Sequence, residues 1–172
     1  MDLYIERLQV ADAESLYKFE LENRKFFEEM VPTRGEEYYN PEILKKRHEA
    51  LLEEQAQGGS YFYLIKNEDS SILGRINLVD IDRFHKIGHL GYRVGQEHTG
   101  KGIANKALQK LIETIADEDI KQIKAETTTN NIASQRVLEK NGFEKITTSS
   151  ESFEMNGQKL NFIYYALTIS PC

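Results

Sequence analysis

A glycine-rich loop between a strand-like run and an amphipathic helix constrains this sequence more than any other feature. The run ends at Val94, the loop extends from Gly95 to Gly102, and a helix with an apolar spacing near 3.6 follows. Its apolar positions are Ile103, Ala107, Leu108, Leu111, Ile112 and Ile115. The first N–H groups of a helix lack partners within it and lie at the positive end of its dipole. The junction therefore predicts a site for a phosphate or pyrophosphate.

Two common phosphate-binding loops fit this segment poorly. A P-loop requires Gly-Lys followed by Ser or Thr, whereas Gly100-Lys101 is followed by Gly102. The dinucleotide fingerprint follows the first strand of its fold, whereas this loop follows the fourth predicted strand. These residues alone also allow a second interpretation, a glycine-rich strand-to-helix turn that binds no ligand.

The remaining sequence predicts one α+β domain, which we assign to residues 1–172. Strand patterns occupy 3–8, 61–66, 72–81, 87–94, 122–127, 143–148 and 160–167. A first helix is expected to begin after its cap residue, Asp12, and further helices are expected to begin at Pro41, Ile103 and Asn131. Residues 26–41 are expected to be irregular. The strand–helix–strand unit around the glycine loop predicts one parallel pair with a right-handed crossover. We expect a mixed, mostly antiparallel sheet of about seven strands with helices on both faces.

Composition excludes several classes of function. Apolar residues make up 40% and charged residues 29%, as in ordinary globular proteins, and the net charge of −6 argues against nucleic acid as a partner. With neither a signal-peptide pattern nor the ~20 apolar residues of a membrane span, we expect a cytoplasmic protein.

The single cysteine, Cys172, is expected to be a spectator thiol. No metal-ligand spacing connects the histidines (His48, His85, His89 and His98), so we expect no metal.

Charge is distributed unevenly along the chain. Residues 11–42 hold nine acidic and four basic side chains, a net charge of −5, whereas residues 93–110 hold four basic side chains and one acidic, a net charge of +3. The first region favours a cationic ligand and the second an anionic one, although solvated helix faces would give the same pattern.

Two motifs make the chain resemble the GNAT superfamily of N-acetyltransferases. The run Thr99, Gly100, Lys101, Gly102, Ile103, Ala104 matches the acetyl-CoA signature Gln/Arg-x-x-Gly-x-Gly/Ala, with threonine where Gln or Arg is commonest. The run from Asn131 through Ser134 to Phe143 is similar to Asn-x-x-Ser and Leu-Glu-Lys-x-Gly-Phe of the RimJ and RimL type of ribosomal-protein N-terminal acetyltransferases. Leu90-Gly91-Tyr92 and the Asn156-Gly157 turn extend the resemblance over essentially the whole chain.

The resemblance implies where acetyl-CoA binds. The strands ending at Val94 and beginning at Gln122 are expected to splay apart, so that pantetheine lies between them and bonds the backbone near Tyr92, Arg93 and Val94. The pyrophosphate is expected on residues 99–104. Asn131 is expected to hydrogen-bond the pantetheine arm, although it could equally serve as a helix cap.

The resemblance also implies how protons move. Many GNAT enzymes carry a tyrosine donor seven residues after the asparagine, but that position is Leu138 here. Ser134 is the expected donor to the leaving thiolate, with capping or space-filling as its alternative role. Glu126 and Glu154 are candidate bases, although each could be a solvated surface residue. Aromatic residues expected to wall the acceptor side, or to pack in the core, are Phe26, Phe27, Tyr38 and Tyr39.

The resemblance favours transfer of an acetyl group to the α-amine at a protein N-terminus, with a ribosomal protein as one such acceptor. An α-amine with a pKa of ~7.7–8.0 needs less help from a base than a lysine at ~10.4. The alternatives are a small amine as the acceptor, namely a polyamine, amino acid or antibiotic, and an acyl-CoA sensor without turnover. The acidic stretch favours a cationic peptide or small molecule as the acceptor. We also expect a homodimer, since the strand-rich C-terminal end could leave a sheet edge open.

Overall fold

The computed structural model describes residues 2–30 and 36–169. Its strands are β1 Leu3–Arg7, β2 Tyr61–Asn67, β3 Ile72–Asp82, β4 Ile87–Val94, β5 Gln122–Thr128, β6 Glu144–Thr148, β7 Phe153–Met155, β8 Gln158–Leu160 and β9 Phe162–Thr168. Its helices are α1 Ala13–Glu22, α2 Arg24–Met30, α3 Pro41–Ala56, α4 Ile103–Ile115 and α5 Ile132–Lys140. Short 3₁₀ turns precede α1 and α3, and a third, Gln96–His98, lies within the glycine loop.

Seven strands form one mixed sheet in the order β1-β2-β3-β4-β5-β9-β6. Every neighbouring pair is antiparallel except β4 and β5, which α4 connects in parallel. This confirms the predicted α+β class with a mostly antiparallel sheet and one parallel pair. The parallel pair exists because a crossover helix, rather than a hairpin turn, joins its strands.

The parallel pair stays joined over a short distance only. β4 pairs with β5 at Ile87, Gly88 and His89, and the remaining residues of β4, up to Val94, have no partner on β5. On its other side β4 remains paired with β3 as far as Val94. The two central strands therefore separate, as expected, and leave an open slot lined by backbone.

Apolar residues cover both faces of the sheet. Strand β2 is buried along most of its length because its alternate side chains point into two cores. Tyr61, Tyr63 and Ile65 pack with α4 in one core, and Phe62 and Leu64 pack with α1 and α2 in the other. The apolar stripe of α4 is buried as its spacing predicts. Helices thus lie on both faces.

The sequence prediction for residues 26–41 was partly wrong. Residues 26–30 belong to α2, and residues 36–39 form a 3₁₀ turn, whereas Pro32 and the rest of 31–35 lie outside the described residues. Phe27 is buried and packs on Phe19, with ring centroids 5.8 Å apart. Tertiary packing of this aromatic residue stabilises α2. With only seven residues, the helix is too short to show a clear periodic pattern in the sequence.

Two further predictions need correction. Asp12 precedes α1 but does not cap it with its side chain, because its Oδ2 accepts from the Gln9 N–H at 2.8 Å. The predicted last strand, 160–167, is divided at Asn161, whose N–H donates to Thr129 Oγ1 at 3.2 Å. Leu160 therefore ends a separate hairpin, β7–β8, which the sequence analysis missed.

Several predictions remain as they stood. Strand β6 is an open sheet edge with all five residues exposed, so it leaves room for the predicted homodimer. Both the dimer and the single-domain assignment stay predictions, and Cys172 lies outside the described residues. Within the part of the chain that the structure describes, no helix combines the length and apolarity needed to cross a membrane.

Candidate active site

The slot between β4 and β5 continues into a cavity of about 620 Å³. It reaches from the glycine loop and the start of α4, past the first turns of α5, to the aromatic end of the β7–β8 hairpin. Of the eleven residues expected at the site, ten line this cavity: Tyr92, Arg93, Val94, Thr99, Gly100, Gly102, Ile103, Ala104, Asn131 and Ser134. The exception is Lys101, which is exposed and does not line it.

The glycine loop presents bare backbone to the cavity. Gly100 and Gly102 have φ angles of +75° and +76°, which glycine adopts without strain. A Cβ atom at either position would meet no atom within 4 Å, so the loop leaves open space. Gly102 is the cap residue of α4 and provides no side chain to the first N–H groups of the helix. These N–H groups and the helix dipole suit an anion.

Two side chains of the loop contribute less than the sequence suggests. The Thr99 hydroxyl donates to the Gln96 carbonyl at 3.0 Å, so its hydrogen is already used within the turn. The Lys101 charge stands outside the cavity. An anion at this loop would therefore meet mainly backbone N–H groups, with these side chains secondary.

Asn131 and Ser134 have separate roles at the start of α5. The Asn131 Oδ1 accepts from the Ser134 N–H at 3.1 Å and caps the helix. The Ser134 hydroxyl is not the cap, and it accepts instead from the Tyr92 hydroxyl, with 3.1 Å between the oxygens. Because Tyr92 is the donor, the Ser134 hydrogen is not used in this contact and remains available to donate to another group.

The Tyr92 hydroxyl is a contact that sequence reasoning missed, since it considered only the backbone of this residue. Burial raises the pKa of Tyr92 above that of a free phenol, and the hydrogen bond to Ser134 offsets this in part. Tyr92 is therefore protonated at neutral pH and able to donate. It brings a phenol to the slot from β4, whereas the position expected to carry one on α5 is the buried Leu138.

A second cavity, of about 530 Å³, lies between α1, α3 and the sheet. It shares Gly91, Tyr92 and Arg93 with the slot, so the two cavities meet at β4. Its wall contains Glu20, only 1% exposed, which accepts from Arg75 Nη1 at 2.7 Å and from Arg93 Nη1 at 3.4 Å. Alternation along β3 is the only sequence signal for Arg75, and it is equally typical of a solvent-facing residue.

Three of the nine acidic residues of the stretch 11–42 are paired with basic side chains of the protein. Glu20 binds two arginines, and Asp12 lies 3.4 Å from Lys66 Nζ. Glu28 pairs with Arg24 one helical turn away. The stretch thus gives a weaker reason to expect a cationic acceptor than its charge count suggests.

The other predicted site residues are spread around the two cavities. Glu126 is exposed and lines the slot, while Glu154 is exposed on the hairpin. Phe26 and Phe27 line the slot, and Tyr38 lines the second cavity. Tyr38 and Tyr39 are both buried and contact each other edge to face, so they also pack as core residues. Across residues 2–30 and 36–169, no group of three or more His, Cys, Asp or Glu side chains could hold a metal ion.

Residues 2–144 match the family model described as acetyltransferase (GNAT) domain. The chain is 31% identical over 158 residues to "Probable N-acetyltransferase YjcK" of Bacillus subtilis, covering 90% of this chain and 87% of the relative. It is also 31% identical over 161 residues to a "[Ribosomal protein uS5]-alanine N-acetyltransferase" of Escherichia coli, covering 91% of this chain and 82% of the relative.

The fold also matches a solved structure. A ribosomal-protein-S5-alanine acetyltransferase from Vibrio fischeri superposes with a TM-score of 0.90 at 23% identity, covering 99% of this chain and 94% of that one. At this identity the likeness establishes the fold alone.

Proposed function

Since this chain belongs to the GNAT acetyltransferase family, we propose that it transfers the acetyl group of acetyl-CoA to the α-amine at the N-terminus of a protein. The observation that carries the proposal is the pair of hydroxyl groups, Tyr92 and Ser134, which lies in the slot between the separated strands. The Escherichia coli relative, named for acetylating an alanine of a ribosomal protein, supports this class of acceptor.

The residues of the slot fit acetyl-CoA. The unfilled space above Gly100 and Gly102, together with the start of α4, suits the pyrophosphate. The part of β4 that has no partner on β5, from Leu90 to Val94, offers backbone groups to the amide-containing pantetheine arm. When bound, acetyl-CoA supplies a thioester whose acyl carbon accepts the amine.

In the proposed mechanism the new C–N bond forms as the C–S bond breaks. Ser134 donates its proton to the departing thiolate, and Tyr92, held at 3.1 Å, orients the serine hydroxyl and can pass its own proton to it. The acceptor must be a neutral amine, and an α-amine with a pKa of ~7.7–8.0 is partly neutral at physiological pH. Glu126 is our candidate for removing the remaining proton, directly or through water.

A small amine as acceptor is the second candidate, because a structure of the same fold, a spermidine N-acetyltransferase from Vibrio cholerae, is named for such an acceptor. A sensor that binds acetyl-CoA without turnover is the third, and the two hydroxyl groups at the slot argue against it. The cytoplasmic location stays a prediction.

We expect the purified protein to release free CoA from acetyl-CoA when Ser- or Ala-starting peptides are added. Thiol release would be measured beside spermidine, an aminoglycoside and free amino acids. Turnover with peptides supports the proposal, and turnover with one of the other amines alone would select the second candidate. Tight binding of acetyl-CoA with no turnover on any acceptor would indicate a sensor.

We expect Gly102→Asp to weaken acetyl-CoA binding strongly, by tenfold or more, because its carboxylate would meet the pyrophosphate and occupy the N–H groups of α4. Gly157→Asp is the matched control, since Gly157 has a φ angle of +79°, equally open surroundings, and no place in the slot. Calorimetric titration with CoA compares the two. If the two variants bind CoA with equal affinity, the glycine loop is not part of the binding site.

Ser134→Ala should lower turnover by about 10²–10⁴-fold while leaving CoA affinity almost unchanged. The melting temperature should fall moderately, because the variant keeps the Asn131 cap of α5 but removes the acceptor of the Tyr92 hydroxyl. Tyr92→Phe should give a smaller loss, because Ser134 keeps its own proton.

Ser60→Ala is the control for removal of a hydroxyl. Ser60 is fully buried and accepts from the Asp80 N–H at 3.3 Å, but it lines neither cavity. This variant should lose stability and keep its turnover. A Ser134→Ala protein with wild-type turnover would contradict the catalytic role of Ser134.

A further inference from the structure

The wall of the second cavity contains polar side-chain atoms that have no hydrogen-bond partner among the described residues. Arg75 is 9% exposed, and its Nε is enclosed without a hydrogen-bond partner among the described residues. The same is true of the Oδ1 of Asn77. Leaving enclosed polar groups unpaired destabilises the folded protein, and such groups in a cavity wall are candidates for pairing with a ligand.

These two residues belong to one face of the sheet. Arg75 and Asn77 are two apart on β3, so their side chains point the same way. Across the ladder, Arg75 is opposite Arg93 and Asn77 is opposite Gly91. A Cβ atom on Gly91 would meet nothing within 4 Å, so the wall is open where the cavity meets the slot. An acceptor could therefore lie against Arg75 and Asn77 and extend its amine past Gly91 towards Ser134.

The charge of this cavity disfavours a polycation. Its lining includes the basic residues Lys45, Arg47, Arg75 and Arg93 but only two carboxylates, Glu14 and Glu20. Glu20 is already bound by two of the arginines. A polyamine would bring positive charge and N–H donors to a wall that already has an excess of both.

The hydrogen-bond donors and acceptors of Arg75 and Asn77 further limit the chemical class of ligand that fits this cavity. A guanidinium can only donate, and it has N–H groups beyond the one bonded to Glu20. A side-chain amide both donates and accepts, and rotation about its soft terminal torsion can turn either end towards a ligand. A peptide group offers one acceptor and one donor. An extended peptide repeats these groups along one side every two residues, which is also the spacing of Arg75 and Asn77.

We propose that this second cavity binds the backbone of the first residues of a peptide acceptor, with Arg75 donating to a carbonyl and Asn77 pairing with a peptide N–H. The inference rests on the proposed function, because it places the α-amine of that peptide at the slot. A free amino acid offers its carboxylate to Arg75 but no peptide N–H to Asn77, and a fully protonated polyamine offers no hydrogen-bond acceptor. Recognition through backbone groups would tolerate a variety of side chains.

Binding of a Ser-Ala-Ala-Ala peptide amide to the cofactor-free protein tests the inference without turnover. Calorimetry should show that N-methylation of the peptide bonds in the first three residues weakens binding about three- to tenfold or more, and that spermidine and L-alanine bind more weakly than the peptide. If the methylated and parent peptides bind equally, or if spermidine binds as well as the peptide, the inference is overturned.

Two variants locate the effect. Asn77→Leu should weaken peptide binding about three- to tenfold, and Arg75→Lys, which keeps a charge beside Glu20, about ten- to a hundredfold. Lys45→Gln is the control, because it removes an exposed charge of the cavity lining but no enclosed polar group. Unchanged CoA affinity shows that each variant is folded. A loss with Lys45→Gln as large as with Asn77→Leu would mean that charge alone attracts the peptide, against the inference.

The two proposals can fail separately. Peptide binding that depends on Asn77, in a protein that never releases CoA, would support the inference and refute acetyl transfer. Release of CoA with spermidine or amino acids but with no peptide would leave acetyl transfer standing and overturn the inference.

Discussion

The structure depends on the separation of β4 from β5 after three paired residues. Backbone groups released from a sheet must find other partners, because burying them unpaired is costly. Here they face a slot that has the N–H groups of α4 at one end and Phe153, at the start of the β7–β8 hairpin, at the other. The features proposed to act in catalysis are arranged around this gap.

The gap also explains why one strand can serve two cavities. Successive residues of β4 point to opposite faces, so Tyr92 reaches Ser134 while Arg93 turns towards Glu20. The slot and the second cavity meet at these residues and at Gly91. A donor bound on one side and an acceptor on the other would then approach each other across a single strand. The buried ion pairs of Glu20 join α1 to Arg75 of β3 and to Arg93 of β4.

The sequence predicted those parts of the site that rest on local pattern. The strand–glycine–helix junction and the apolar stripe of α4 are local and strong, and the separation of the strands followed from the family resemblance. The Tyr92–Ser134 contact joins residues 42 apart, and the Arg75–Glu20 pair joins residues 55 apart. Neither contact produces a periodic pattern in the sequence from which it could be predicted. The short helix α2 and the β7–β8 hairpin were missed because they are stabilised by packing, such as the stacking of Phe153 on Phe162 at 4.5 Å.

The most direct test of this account is a crystal structure of the protein with coenzyme A bound. The account predicts the pyrophosphate on the N–H groups of residues 99–104, the pantetheine arm beside the unpaired part of β4, and the sulfur within hydrogen-bonding distance of Ser134 Oγ. A pyrophosphate bound away from the glycine loop, or a sulfur out of reach of Ser134, would contradict it.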